Sequence, residues 1–151
     1  MKVDNRLFIA VLLLVTSLVT GCASVPLTSM EEDTKAKSFA APATGKANIY
    51  VYRNESYGGA IMLTIALDGK LAGQTSMRTY FLWEVDPGSH EISSLSENTS
   101  TLKLNTEAGK TYFIWQEVKM GMWSARSQLQ QVDEAAGRKG VSECKRAQSN
   151  F

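Results

Sequence analysis

The sequence has 151 residues, 44% of them hydrophobic, and a formal net charge of +1 at pH 7. This length predicts a single domain, large enough to form a hydrophobic core without disulfides. The near-neutral charge argues against a nucleic-acid partner and against attachment through a polybasic surface, because both need a strongly positive field.

The first 21 residues have the pattern of an export signal. Lys2 and Arg6 form a short basic region, and residues 7–19 form an apolar run broken only by a Thr-Ser pair. The run fits the apolar region of a signal peptide, whereas a membrane-spanning helix needs about 20 residues. Because Asp4 is removed together with the two basic residues, the remaining chain is formally neutral.

The export signal ends in Leu18-Val19-Thr20-Gly21-Cys22, where small residues precede a cysteine. This segment resembles the lipobox of bacterial lipoproteins, with Val19 where leucine is commoner. The resemblance implies cleavage between Gly21 and Cys22, a diacylglycerol on the Cys22 thiol and often a further acyl chain, such as palmitate, on the new amino group. Two or three chains make such an anchor nearly permanent, because each buried methylene contributes about 0.8 kcal/mol. An uncleaved anchor helix and an ordinary secretory signal are the alternatives.

The residue after Cys22 helps to predict which membrane holds the lipoprotein. In enteric-type sorting, an aspartate there retains a lipoprotein in the inner membrane. Ala23 therefore predicts the outer membrane of a bacterial envelope, with the domain facing the periplasm.

Residues 22–45 are predicted to be a tether that contains one short helix. Ser29 and Glu32 have the spacing of a capping box, and acidic residues fill the first turn. The helix is expected from about residue 30 to residue 39, ended by Ala41-Pro42. Its charged residues are interpreted as a solvated face.

Residues 46–151 are predicted to form an antiparallel β-sandwich of seven to eight short strands, because short alternating segments are separated by turn residues and no βαβ pattern occurs. Asp68-Gly69 predicts a tight hairpin turn. Asp133 is expected to cap a C-terminal helix over about 133–147, which Gly137 and Gly140 should weaken. The expected strands are residues 46–53, 61–68, 70–75, 79–85, 89–95, 100–105, 111–120 and 124–131.

Four motifs follow one another in this part of the chain: Gly45-Lys-Ala-Asn-Ile-Tyr-Val-Tyr-Arg53, Leu67-Asp-Gly-Lys70, Val85-Asp-Pro-Gly-Ser-His-Glu-Ile92 and Ala108-Gly-Lys-Thr-Tyr-Phe113. In this order they resemble the DUF2846 family of small bacterial lipoproteins. The middle portion also resembles the PEGA type of surface β-domain, which implies surface attachment or scaffolding. Neither resemblance supplies a catalytic residue.

Few residues in the sequence suggest a catalytic or metal-binding site. His90 is the only histidine, so it is the one candidate general base, although a structural role at a strand start is the simpler interpretation. One histidine and one non-lipidated cysteine do not make a usual zinc site, and the acidic residues lack calcium-loop spacing. Gly109-Lys110-Thr111 lacks the upstream glycine of a phosphate loop. We therefore expect no enzyme activity, no catalytic or metal-binding residue, and no cofactor apart from the lipid on Cys22.

Two further features leave alternatives open. Cys144 is either a small buried apolar residue or an exposed thiol that pairs between chains. The segment Met120-Gly-Met-Trp123 is either an exposed loop touching lipid or a protein partner, or it is tucked into the sandwich.

Aromatic residues are numerous for a domain of this size. On one exposed sheet face they could stack on sugar rings, and peptidoglycan is the obvious sugar polymer of the periplasm; alternatively they pair across strands and fill the core. The aromatic residues in question are Tyr50, Tyr52, Tyr57, Tyr80, Trp83, Trp115 and Trp123.

The leading hypothesis is a lipid-anchored envelope lipoprotein that acts as a non-catalytic binding or assembly module. The alternatives are a peptidoglycan- or carbohydrate-binding module and, less favoured, a hydrolase that uses His90. The expected partners are the membrane, through the anchor, and an envelope protein or peptidoglycan; no nucleic acid is expected.

Overall fold

A computed structural model of the protein describes residues 24–56 and 59–151. The lipobox, with the cleavage and lipidation residues Gly21 and Cys22, lies outside the described residues, as does Tyr57. The elements in chain order are α1 (Met30–Ala36), β1 (Ala47–Arg53), β2 (Leu63–Leu67), β3 (Lys70–Thr75), β4 (Thr79–Val85), β5 (Gly88–Leu95), β6 (Thr99–Thr106), β7 (Thr111–Met120), β8 (Ala125–Val132), α2 (Glu134–Ser142) and β9 (Lys145–Arg146).

The strands form two sheets, which confirms the predicted mainly-β sandwich. One sheet has the order β8-β7-β1-β4-β9 and the other β3-β2-β5-β6. Two pairs are parallel rather than antiparallel: β1 with β7, and β4 with β9. A parallel pair cannot be closed by a tight hairpin, and the long connection between β1 and β7 provides the necessary crossover.

Apolar residues are buried on both sides of the five-stranded sheet. The layer between the sheets includes Ile49, Ile65, Phe81 and Trp83. A second cluster, which includes Tyr50 and other aromatic residues, lies on the outer face under α1 and α2. The protein therefore has three layers, and this explains why β1 is buried along its whole length.

The segment expected to be a tether packs against the sandwich from Val25 onward. Val25 belongs to the core between the sheets, and Leu27 forms an isolated bridge with Ala147. The Ser29 capping box is present, as predicted. The helix is shorter than expected, however, because it ends at Ala36 and the chain turns so that the ring of Phe39 packs on Tyr50.

The C-terminal helix also ends earlier than predicted. Asp133 caps it, but the last helical residue is Ser142, and the expected helical residues Lys145 and Arg146 instead form β9 beside β4. The prediction missed that β4 has a free edge, and pairing there satisfies backbone groups that would otherwise be unbonded.

Gly137 and Gly140 do not mark a weak point of this helix. A Cβ on Gly137 would lie 2.1 Å from the ring of Phe113, and one on Gly140 would lie 2.1 Å from the ring of Tyr52. The two glycines let α2 approach the aromatic cluster closely, which no larger residue would allow.

Candidate functional site

The packing of Val25 against the core limits the reach of any group on Cys22. Val25 is buried, and the backbone around it is held by hydrogen bonds from the Thr28 amide to the Arg146 carbonyl and from the Gln148 amide to the Pro26 carbonyl. Three fully extended residues span at most about 11 Å. A lipid on Cys22 would therefore lie within about that distance of the folded domain.

Ser24 and Val25 line a groove at one end of the sandwich, which we call the anchor end. The strand pairings place at this end the connections β1–β2, β3–β4, β5–β6 and β7–β8. A groove of about 650 Å³ is lined by Ser24 and Val25 together with residues of the β1–β2 and β3–β4 connections. Beside it, a second groove of about 550 Å³ is lined by Ile61 and the turn between β7 and β8.

The turn between β7 and β8, residues 121–124, is organised by Glu97 from the β5–β6 connection. Its carboxylate accepts the backbone amides of Met122, Trp123 and Ser124 at 3.2, 2.8 and 2.7 Å, and the Nε of Arg126 at 2.7 Å. The amide of Trp123 and then that of Ser124 lower the pKa of Glu97 to about 2, so the carboxylate is charged at neutral pH.

The apolar side chains of this turn point into solvent. Met120 is 96% exposed, Met122 78% and Trp123 89%. The sequence left open whether this segment is exposed or tucked in, and the structure shows it exposed. Gly121 permits the tight turn, because a Cβ there would lie 2.0 Å from the Ser124 carbonyl oxygen.

Sequence analysis did not single out Glu97. It lies far along the chain from the amides it binds, and no short motif links the two segments. The only local signal is Gly121, which marks a break after a long strand. The tertiary contact between the β5–β6 and β7–β8 connections is what gives Glu97 its role.

His90 lies at the opposite end of the sandwich, where both of its ring nitrogens are occupied. Nδ1 lies 2.7 Å from Asp68 Oδ2, and Nε2 lies 2.8 Å from the Asp86 carbonyl. Partial burial disfavours charge on the ring, but the hydrogen bonds to Asp68 and Asp86 outweigh it and raise the pKa of His90 above its ordinary value. Asp68 also accepts the Glu91 amide, so the residues form a clamp across two turns.

This geometry does not fit the hydrolase interpretation. A general base needs a ring nitrogen free to take a proton from a nucleophile. In His90 both nitrogens are bonded to acceptors, which favours the doubly protonated ring. In the described part of the chain, neither ring nitrogen of His90 is hydrogen-bonded to the side chain of a Ser, Thr or Cys.

The candidate aromatic residues within the described ranges do not form an open face. Tyr50, Tyr52 and Tyr80 are buried beneath the helices, and Trp83 is buried between the sheets. The hydroxyl of Tyr50 donates to the Ala36 carbonyl at 2.7 Å and that of Tyr80 to Asp33 at 2.8 Å. Trp115 is half-buried, which leaves Trp123 as the exposed ring among the described candidates.

The remaining candidates are accounted for as follows. Cys144 is buried, its Sγ lies 3.2 Å from the Gly140 carbonyl, and burial raises the pKa of its thiol to about 12. Within residues 24–56 and 59–151, no group of three His, Cys, Asp or Glu side chains could hold a metal ion. In the same part of the chain, no helix has the length and apolar character needed to cross a bilayer.

Comparisons with known proteins agree with the motifs. A family model described as "Protein of unknown function (DUF2846)" matches residues 43–128. A protein of Haemophilus influenzae described as "Uncharacterized protein" is 36% identical over 137 residues, which cover 90% of this chain and 82% of that protein. No solved structure matches the chain.

Proposed function

The chain belongs to the DUF2846 family, and from this premise we propose that it is a lipid-anchored bacterial envelope lipoprotein whose sandwich serves as a non-catalytic binding or assembly module. The observation that carries the proposal is the segment Leu18-Val19-Thr20-Gly21-Cys22 behind a basic and then apolar N-terminus. The anchor is the lipid on Cys22, and Ala23 favours the outer membrane, with the domain in the periplasm.

The position of Val25 supports this proposal. Cleavage before Cys22 would remove none of the described residues, among which Val25 belongs to the core between the sheets. The mature protein would keep every described element. The lipid, rather than a helix, would then hold it at the membrane.

The non-catalytic part of the proposal is supported by the environment of His90. Its ring nitrogens bind Asp68 and Asp86, so it serves as a clamp between turns. No open aromatic face supports carbohydrate binding, because among the described candidates Tyr50, Tyr52, Tyr80 and Trp83 are buried and Trp123 is the exposed ring. Neither alternative is favoured by a specific observation.

The test replaces Cys22 with Ser in the full chain and follows palmitate labelling and membrane association. We expect Cys22→Ser to lose the label and to leave the membrane fraction. Cys144→Ser is the matched control, because it removes the other cysteine, which is buried in the domain. Density-gradient fractionation of the wild type should place it with the outer membrane.

Two results would contradict the proposal. Labelling and membrane association that survive Cys22→Ser would show that the anchor is not this cysteine. Loss of the label in Cys144→Ser, with labelling of Cys22→Ser unaffected, would show that the lipid is attached to Cys144 rather than to Cys22.

A further inference from the structure

We propose that the anchor end of the sandwich docks on the phospholipid leaflet that holds the acyl chains of Cys22, with Met120, Met122 and Trp123 inserted between the head groups. This inference rests on the lipid anchor proposed above. It adds a second contact, made by the folded domain itself, and it fixes the orientation of the domain.

The first argument is the shortness of the link. Val25 is three residue steps from Cys22, so it cannot stand more than about 11 Å from the point of lipid attachment. A flexible tether of 24 residues would let any surface of the domain face the bilayer. The packed segment instead keeps the surface around Ser24 and Val25 close to the leaflet.

The second argument is the concentration of exposed apolar side chains at that end. Besides Met120, Met122 and Trp123, the connections at the anchor end expose several more apolar side chains. These are Met62 before β2, Met77 before β4 and Leu95 at the end of β5. An exposed apolar patch of this kind marks a surface that contacts another apolar phase, and the nearest such phase is the bilayer.

The third argument is that the β7–β8 turn is held in its exposed form. Glu97 binds three successive backbone amides, and Gly121 packs against the Ser124 carbonyl. The side chains are therefore presented by an ordered backbone, so little backbone entropy is lost on insertion. Tryptophan also prefers the interface between head groups and acyl chains, which suits Trp123.

Charge at this end neither drives nor opposes docking. Arg78 and Lys145 line the groove beside Val25, where lipid phosphates would lie, but Glu143 lines it too. Lys119 and Arg126 are paired with Glu117 and Glu97. The contact should therefore depend on apolar insertion and form on zwitterionic lipid as well as on anionic lipid.

The orientation has a consequence for the rest of the surface. With the anchor end on the leaflet, the turns at the other end face away from the membrane. These turns are Asp68-Gly69, Asp86-Pro87 and residues 107–110. That end, rather than the anchor end, is where a partner in the periplasm would meet the domain.

The experiment places an environment-sensitive fluorophore on single introduced cysteines in the full lipoprotein, reconstituted in phosphatidylcholine vesicles that contain nitroxide-labelled lipid. Trp123→Cys and Met122→Cys report on the β7–β8 turn. Leu71→Cys is the matched control, because it is an exposed apolar position on β3 near the opposite end. Cys22 is blocked by lipid and Cys144 is buried, so neither should take the label.

We expect the labels at residues 122 and 123 to be quenched by the nitroxide lipid, with a blue-shifted emission, and the label at residue 71 to show neither change. If the protein floats with the vesicles but residues 122 and 123 are as little quenched as residue 71, docking is wrong while the anchor stands. If the protein does not float with the vesicles, the lipid-anchor proposal is wrong, and the docking proposal that rests on it is wrong too. The same result on zwitterionic and anionic vesicles would support apolar insertion.

Discussion

Replacing Val25 with Ser should release the N-terminal segment from the sandwich without unfolding the domain. Full burial of a valine side chain contributes about 1.5–3 kcal/mol. Because the segment can move into water once the side chain is polar, we expect the loss to be nearer about 1.5 kcal/mol. This corresponds to about a tenfold change in the opening equilibrium.

Helix α1 should limit how far the release spreads. The Asp33 carboxylate accepts the Tyr80 hydroxyl at 2.8 Å and the Arg146 amide at 2.9 Å, which ties the helix to β4 and β9 independently of Val25. In Val25→Ser the free link would then run from Cys22 to Ser29 and span about 25 Å. The link alone would then no longer hold the domain against the membrane.

Hydrogen exchange of backbone amides measures this release directly. In the wild type, the Thr28 amide donates to Arg146 and the Gln148 amide donates to Pro26, so both should exchange slowly. In Val25→Ser their exchange should quicken about tenfold, while amides of β1 change little. Leu27→Ser is the control: its side chain is 41% exposed, so it should have a smaller effect.

The reasoning would be refuted by either of two results. Exchange of the Thr28 and Gln148 amides in the wild type as fast as in an unstructured peptide would mean that the segment is not held. Unchanged protection of these amides in Val25→Ser would mean that burial of Val25 does not hold the segment.

Two further predictions concern stability. Gly140→Ala should lower the free energy of unfolding by about 1–2 kcal/mol in urea titrations, because the added Cβ would collide with the Tyr52 ring even though alanine favours helices. The control, Lys139→Ala, should leave the free energy of unfolding nearly unchanged. A Gly140→Ala protein as stable as the wild type would contradict this close packing. His90 has a raised folded-state pKa, so its contribution is fully present below its ordinary pKa of 6.5 and is lost as the pH rises through the higher folded-state value. The melting temperature should therefore fall as the pH rises above about 6.5, and a fall that persists in His90→Asn would assign the effect to another group.

Local patterns were enough to predict much of the fold. The bounds of β3, β4 and β7 agree with the expected strands, and the Asp68-Gly69 turn has the positive φ angles (50° and 76°) that the hairpin requires. The Ser29 cap and the Asp133 cap are also where the sequence placed them. Each of these features depends on residues close together in the chain, so a single sequence is sufficient to identify it.

The features that the sequence did not predict depend on packing between residues that are far apart in the chain. The sequence predicts that Gly137 and Gly140 weaken α2, whereas in the structure they are contact points of the helix with Phe113 and Tyr52. The early end of α2 follows from the free edge of β4, and the docking of Val25 follows from the core between the sheets. None of these partners is near in sequence.

By itself, the sequence determined the β-rich class, the family motifs and the predicted lipid address at Cys22, because patterns of hydrophobicity, turn residues and processing motifs are local. Only the tertiary structure decided that the expected tether is packed from Val25 onward and that Glu97 holds the exposed turn beside it. It also decided that Tyr50, Tyr52, Tyr80 and Trp83 are buried and that both ring nitrogens of His90 have hydrogen-bond partners within the protein. The physical reason is that burial and hydrogen-bond partners are set by which distant segments meet, and no pattern within one segment specifies that meeting.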